Sequence, residues 1–123
     1  SETLREHLFW QVRMTNFSPE EMKIAEFIVG NLRNDGYFDE DLAQICEELK
    51  CSYATAEKVL FEIQKMDPVG VGARNLSECL LAQLNILDPK PMLSIEIVKF
   101  YLEELSKKNA EELSKILNKP VEE

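Results

Sequence analysis

Apolar residues recur along the chain at three- and four-residue intervals, the spacing that puts side chains on one helix face. Leu4, Leu8 and Val12 form the first stripe, with Phe9 and Trp10 beside it, and predict a helix over Glu2–Met14. Thr3 and Glu6 form a capping box if its first turn frays. Ser18-Pro19-Glu20-Glu21 supplies a cap, a proline at the first helical position and acids in the first turn, a strong start for a second helix. Met22, Ala25, Ile28, Val29 and Leu32 carry that helix to about Arg33, where Asn34-Asp35-Gly36 ends it. Tyr37 and Phe38 then read as plugs for a core. Asp39 caps a third helix, about Glu40–Leu49, with Leu42, Ile45, Cys46 and Leu49 as its stripe. Ser52 caps a fourth, about Tyr53–Met66, with Ala56, Val59, Leu60, Ile63 and Met66 inward.

The stretch MDPVGVGARNLSECLLAQL, Met66–Leu84, divides the chain. Asp67-Pro68 stops the preceding helix, because proline disfavours helical geometry in the residue before it. Gly70 and Gly72 open backbone angles closed to other residues. Asn75 and Glu78 read as a capping box for a fifth helix, Asn75 to about Leu87, along which Leu76, Leu80, Leu84 and Leu87 repeat. Asp88-Pro89-Lys90-Pro91 breaks the chain again. A sixth helix covers about Leu93–Lys107, with Ile95, Val98, Leu102 and Leu105 inward. Asn109 and Glu112 suggest a cap for a short seventh ending near Asn118, with Leu113, Ile116 and Leu117 apolar. No stretch alternates as a strand does. The expectation is an all-α protein of two small antiparallel bundles: four helices over 1–67, a connecting loop over 68–74 and three helices over 75–123. The last three are short for a core of their own, and are expected to be less stable or docked on the first set.

The 123 residues suffice for one modest domain or two small bundles. A hydrophobic fraction of 45% with 30% charge fits a folded soluble chain. No run approaches the roughly 20 apolar residues that span a bilayer, and no signal peptide pattern is present. Starting on Ser1 and ending on Pro120-Val121-Glu122-Glu123, the chain reads as an excised fragment. The net charge of −9 argues against nucleic acid as the main ligand, which needs clustered Lys and Arg. Residues 1–67 carry 14 acids and 7 bases, a net of −7; residues 68–123 carry 9 and 7, a net of −2. Such an acidic front half suits a basic protein partner, with Glu20, Glu21, Asp35, Asp39, Glu40, Asp41, Glu47 and Glu48 as the acidic-face candidates. Solubility alone also accounts for acidic surfaces.

Three cysteines, Cys46, Cys51 and Cys79, in a chain without a leader pattern read as reduced thiols, Cys46 and Cys79 as core. With His7 the lone histidine, a zinc site lacks support and no metal or cofactor is expected. Catalysis finds no footing either. The acids fall in doublets such as Glu20-Glu21 and Glu47-Glu48, whose members point about 100° apart on a helix and make solvated faces rather than acid/base pairs. Of Phe9 and Trp10, an exposed one marks an interface; burial of both is the simpler reading. Helices three and four have a helix-turn-helix outline, so a DNA-binding regulator is the alternative from another class. The would-be recognition helix carries Glu57, Lys58, Glu62 and Lys65, with no arginine and no net charge, which favours pairing within a bundle.

The central loop, with Asp67, Pro68, Val69, Gly70, Val71, Gly72, Ala73, Arg74, Asn75 and Glu78, has three readings: a plain connector, a phosphate cradle or a partner-binding surface. The cradle is weak, since Gly-x-Gly lacks the full glycine fingerprint and no strand precedes it. The third reading gains from a resemblance. Met66–Leu84 closely resembles the most distinctive segment of the bacterial sigma-54 family of RNA polymerase sigma factors, and TLREHLFWQVRM and EMKIAEFIVGNLRNDGYF resemble two further blocks in the same order. The likeness covers most of 1–87 and loosens beyond Leu93.

The resemblance implies a central core-binding domain in a bacterial cytoplasm, not an enzyme. Its partner would be core RNA polymerase. Activator ATPase and promoter DNA would be engaged by other parts of the factor: an amino-terminal regulatory region, a later helix-turn-helix and a carboxy-terminal promoter motif. The fragment itself is expected to be monomeric. Arg74 is expected either to meet a carboxylate on the partner or to clamp the two bundles; the clamp is favoured, because a lone arginine beside a helix start is often tied down locally.

Overall fold

The computed structural model describes residues 2–117, apart from the side chains of residues 105, 106 and 109–117. Within them lie six helices and no strand: α1 (Leu4–Met14), α2 (Pro19–Gly30), α3 (Leu42–Leu49), α4 (Tyr53–Gln64), α5 (Leu76–Asn85) and α6 (Met92–Leu117). The fold class is all-α.

Local chemistry sets most helix starts. The Thr3 hydroxyl accepts from the Glu6 N–H (3.1 Å) and begins α1 at Leu4, two residues later than the pattern alone implies. Ser18 and Glu21 close a full capping box on α2, each side chain accepting from the other's backbone N–H. Ser52 caps α4 by accepting from the Thr55 N–H. For α3 the expected cap is corrected: Asp41, not Asp39, accepts from the Ala43 N–H (3.0 Å), and the helix starts at Leu42 where its apolar stripe begins. α2 likewise ends at Gly30 rather than near Arg33, with Asn31 closing it.

The expected sixth and seventh helices are one. α6 runs without a break through Asn109 and Glu112 to Leu117, so their cap-like spacing does not start a helix. No glycine or proline lies between Met92 and Leu117, and nothing in that stretch obliges a turn. The end expected at Asn118 lies outside the described residues.

One core lies among the first four helices. α2 packs on α1 and on α4, and α3 packs on α4, so α2 and α4 form its middle. Leu8 and Val12 of α1, Ile24, Ile28 and Val29 of α2, Ile45 of α3, and Val59, Leu60 and Ile63 of α4 are buried together. Phe38 is 1% exposed and fills the gap between helices, while Tyr37, expected beside it as a second plug, is half-buried. Burying one such side chain contributes about 1.5–3 kcal/mol. The central loop joins this core through Met66 and Val71.

α6 packs back on α5 with Ile95 buried and Val98 and Leu102 half-buried, three of the four inward positions expected from the pattern; the side chain of the fourth, Leu105, lies outside the described ones. On α5 the pattern misleads. Leu76, Leu80 and Leu87 are 65%, 42% and 51% exposed, and Leu84 is half-buried. α5 instead turns Glu78 fully inward, with Cys79 and Leu81 half-buried. Trp10 also departs from the simpler expectation: it is 60% exposed, with Phe9 half-buried beside it.

Candidate functional site

The central loop is held from three sides. From α1, Gln11 pairs with the backbone of Asp67 in both directions: its amide donates to the Asp67 carbonyl (2.7 Å) and its oxygen accepts from the Asp67 N–H (2.8 Å). From the α2–α3 connection, the Phe38 N–H donates to the Ala73 carbonyl (3.0 Å), and the Gly72 N–H donates to the Gly36 carbonyl (2.8 Å). From the end of α4, the Gln64 carbonyl accepts from the Gly70 N–H (2.8 Å). These bonds satisfy the buried N–H groups of Gly70 and Gly72 and the carbonyl of Ala73.

Two glycines are obligatory in this path. Gly70 has φ +97 and Gly72 φ +80, both left-handed. A Cβ on Gly70 would lie 2.5 Å from the Cys79 Sγ, and one on Gly72 would lie 3.2 Å from Ile63 Cγ2. Their role is close approach of backbone to helix.

Arg74 and Glu78 form the polar centre. The Glu78 carboxylate accepts from the Arg74 N–H (3.0 Å), from Arg74 Nε (2.8 Å) and from the Gln64 amide (2.7 Å). Gln64 also donates to the Gly72 carbonyl (3.4 Å). Arg74 continues to α4: it donates to the Tyr53 hydroxyl (3.2 Å) and to Glu57 (3.2 Å), and its guanidinium lies 5.7 Å from the centre of the Phe61 ring. Burial opposes the Arg74 charge, yet its hydrogen bonds to Glu78 and then Glu57 hold its pKa above the ordinary arginine value. The capping box is therefore half formed. Asn75 accepts from the Glu78 N–H (2.8 Å), but Glu78 reaches past Asn75 to the N–H of Arg74.

His7 adds a tie at the loop's entry. Its Nε2 lies 3.0 Å from Asp67 Oδ2 and its Nδ1 2.9 Å from Glu2 Oε1. The hydrogen bond to Asp67, then that to Glu2, raises its pKa above 6.5.

Of the loop candidates, Asp67, Pro68 and Asn75 are exposed and Val69 and Arg74 half-buried. Gly70, Val71, Gly72, Ala73 and Glu78 are buried. Of the acidic candidates, Glu21 pairs with Lys58 (3.3 Å), and Arg33 pairs with Asp35 (2.8 Å) and sits 3.9 Å from Asp39. Glu20, Glu40, Asp41, Glu47 and Glu48 are exposed, and no ion pair among the described residues engages them. Among the described residues no three His, Cys, Asp or Glu side chains converge as metal ligands would, and no helix is long and apolar enough to cross a membrane.

Sequence reasoning did not single out Gln64, Tyr53 or Gln11, and weighed Glu57 only as a charge on the would-be recognition helix. Only Gln64 left a signal: it follows Leu60 by four residues, so a polar side chain stands in the inward stripe of α4. The helix-turn-helix outline fails on the same helix. α4 buries Ala56, Val59, Leu60, Ile63 and Gln64, engages Arg74 through Tyr53 and Glu57, and commits Lys58 to Glu21 and Lys65 to Glu62. It has no free basic face to enter a groove.

These features define an all-α domain whose central loop is clamped internally and whose acidic and apolar positions stay exposed. The chain belongs to the family described as sigma-54 factor, core binding domain, whose model matches residues 1–123. It is 44% identical to an RNA polymerase sigma-54 factor of Xanthomonas euvesicatoria over 112 residues, covering 85% of this chain and 23% of that protein. It is 39% identical to the sigma-54 factor of Pseudomonas aeruginosa over 119 residues, with 91% and 24% covered. The sigma-54 factor of Bacillus subtilis is 32% identical over 112 residues, with 91% and 26% covered. The chain thus spans about a quarter of the length of these relatives.

Proposed function

We propose that this domain anchors a sigma-54-type initiation factor to core RNA polymerase. The observation that carries this is the match of the core-binding-domain model along the whole chain. The reading is of a binding domain, not an enzyme, working wherever polymerase does. Activator ATPase and promoter DNA are partners of the whole factor, reached through segments beyond this domain. Residues 1–67 and 75–123 act as two units, with 68–74 as the joint that fixes one on the other.

The pattern of burial supports a division of labour within that proposal. The buried stretch Gly70–Ala73, with Arg74 and Glu78, sets shape. Contact falls to exposed positions: Asp67, Pro68 and Asn75 on the loop, and Glu20, Glu40, Asp41, Glu47 and Glu48 on the acidic side. Unpaired surface carboxylates steer association with a basic surface and make it salt-dependent.

The test is competition between this chain and a labelled full-length sigma-54-type factor for bacterial core polymerase at two salt concentrations. Displacement that weakens at high salt is expected. Displacement indifferent to salt keeps the anchoring role and removes the acidic contact. No displacement by the folded chain sinks the proposal.

A further inference from the structure

The turn between α3 and α4 brings two of the three thiols together. Lys50 takes the left-handed conformation (φ 55), and the Cys51 N–H donates to the Cys46 carbonyl (3.1 Å). The Lys50 and Cys51 N–H groups thus both donate to the Cys46 carbonyl around a left-handed residue, a helix ending in which side chains before and after the turn frequently touch. In this turn those side chains are Cys46, 8% exposed in the core, and Cys51, half-buried and packed against the same core. Cys79 sits elsewhere, its Sγ against the Gly70 backbone and 3.7 Å from the Gln83 amide.

We propose that Cys46 and Cys51 are a modification site, a dithiol that closes reversibly to an intramolecular disulfide when the protein meets hydrogen peroxide. A disulfide needs α-carbons roughly 4.4–6.8 Å apart with converging β-carbons, and the Cys51 N–H bonded to the Cys46 carbonyl holds the two backbones together at this turn. Access sets the order of events. Cys51 is the more exposed thiol, and its thiolate attacks one peroxide oxygen; the O–O bond breaks, releasing hydroxide, and Cys51 becomes a sulfenic acid. The Cys46 sulfur then attacks the Cys51 sulfur, the S–O bond breaks, and the hydroxyl leaves as water with the Cys46 proton. Two thiols and one peroxide yield one disulfide and two waters. Burial, then the neighbouring Cys51, pushes the Cys46 thiol pKa up, which disfavours it as the thiol that meets peroxide first.

The experiment treats the reduced chain with hydrogen peroxide, blocks residual thiols under denaturing conditions, and maps them after tryptic digestion. Lys50 lies between the two cysteines, so trypsin separates them unless they are joined. Expected is loss of two of the three thiols, a Cys46–Cys51 linked peptide pair that dithiothreitol separates, and a blocked Cys79. C51S, whose serine replaces the less buried member, is expected to fold and to abolish the linked pair. Three blocked thiols after exposure that oxidises a free cysteine peptide overturn the proposal. A link through Cys79 or between two molecules that forms ahead of Cys46–Cys51 overturns it as well.

Discussion

The side-chain amide of Gln64 donates a 2.7 Å hydrogen bond to the carboxylate of Glu78, and both side chains are buried. The pair joins the last turn of α4 to the first turn of α5 across the central loop. Glu78 is paired there with Arg74, accepting from its Nε and its backbone N–H. Removing one member of a buried charged pair leaves the other desolvated and unmatched. Glu78→Ala is therefore expected to destabilise the fold by about 3–5 kcal/mol, read as a lower urea midpoint at unchanged slope. Gln64→Ala, Glu78→Ala and the double variant should be non-additive, because both residues share one network. Simple additivity would show that the two act independently.

Gly70 and Gly30 should respond to alanine with opposite signs. At Gly70 the new Cβ meets the Cys79 sulfur at 2.5 Å and the backbone is left-handed. Strain and overpacking together are expected to cost about 2–4 kcal/mol. Gly30 ends α2 with nothing near its Cβ position and no left-handed angle. Alanine there should stabilise by about 0.4–1 kcal/mol, chiefly by restricting the unfolded chain. Thermal melts of the two variants decide it, and equal destabilisation would remove the special role of Gly70.

Much of the helical frame is legible in the residues. Ser18-Pro19-Glu20-Glu21 and Ser52 mark helix starts because a capping side chain needs only its own next three residues. Asp39, Glu40 and Asp41 illustrate the limit: three adjacent residues include two that can cap, and burial of Leu42 makes Asp41 the one that does. The leucines of α5 read as a core stripe, yet α5 is fixed by Glu78, which is tied to α4 directly through Gln64 and by way of Arg74 to Glu57. A buried ion network is tertiary information, and periodicity does not contain it. Arg74 was legible as a locally tied residue, while the identity of its partners on α4 was not. Trp10 fails for the same reason, since which aromatic faces the core depends on where α2 crosses α1.

His7 lends the domain a pH response. Asp67 and then Glu2 raise its pKa above 6.5, so the folded protein binds that proton more tightly than the unfolded one. The resulting stabilisation is fully present below pH 6.5 and is lost as pH rises through the higher folded value. His7→Gln should flatten stability across that window while leaving the acid limb, where Glu21 contributes, unchanged. Glu21 works in the opposite direction. Its bond from the Ser18 N–H, then Lys58, lowers its pKa below 4.5, so its contribution is present above 4.5 and fades as pH falls through the lower folded value. Denaturant midpoints of wild type and His7→Gln across both windows test the assignment; parallel curves would exclude it.

Arg74 separates shape from contact. Its guanidinium reaches Glu78, Glu57 and Tyr53 and stacks near Phe61, so its donors are engaged within the domain. Arg74→Ala keeps the Gln64–Glu78 bond and the backbone N–H at residue 74 but leaves the buried Glu78 carboxylate without its cation, and is expected to cost about 3–5 kcal/mol, comparable to loss of Glu78. Arg74→Lys should recover only part of this, since a single ammonium cannot reproduce the planar fork that reaches Glu78 and Glu57 together. The discriminating measurement is affinity for core polymerase per folded molecule, at a temperature where every variant is folded. A clamp predicts a lower melting temperature with affinity within about twofold of wild type, a difference under about 0.5 kcal/mol. A direct contact predicts the reverse: a fall in affinity that persists when the variant is fully folded. If affinity drops tenfold or more in a folded Arg74→Ala protein, the arginine belongs to the interface, and the buried loop touches polymerase as well as shaping the domain.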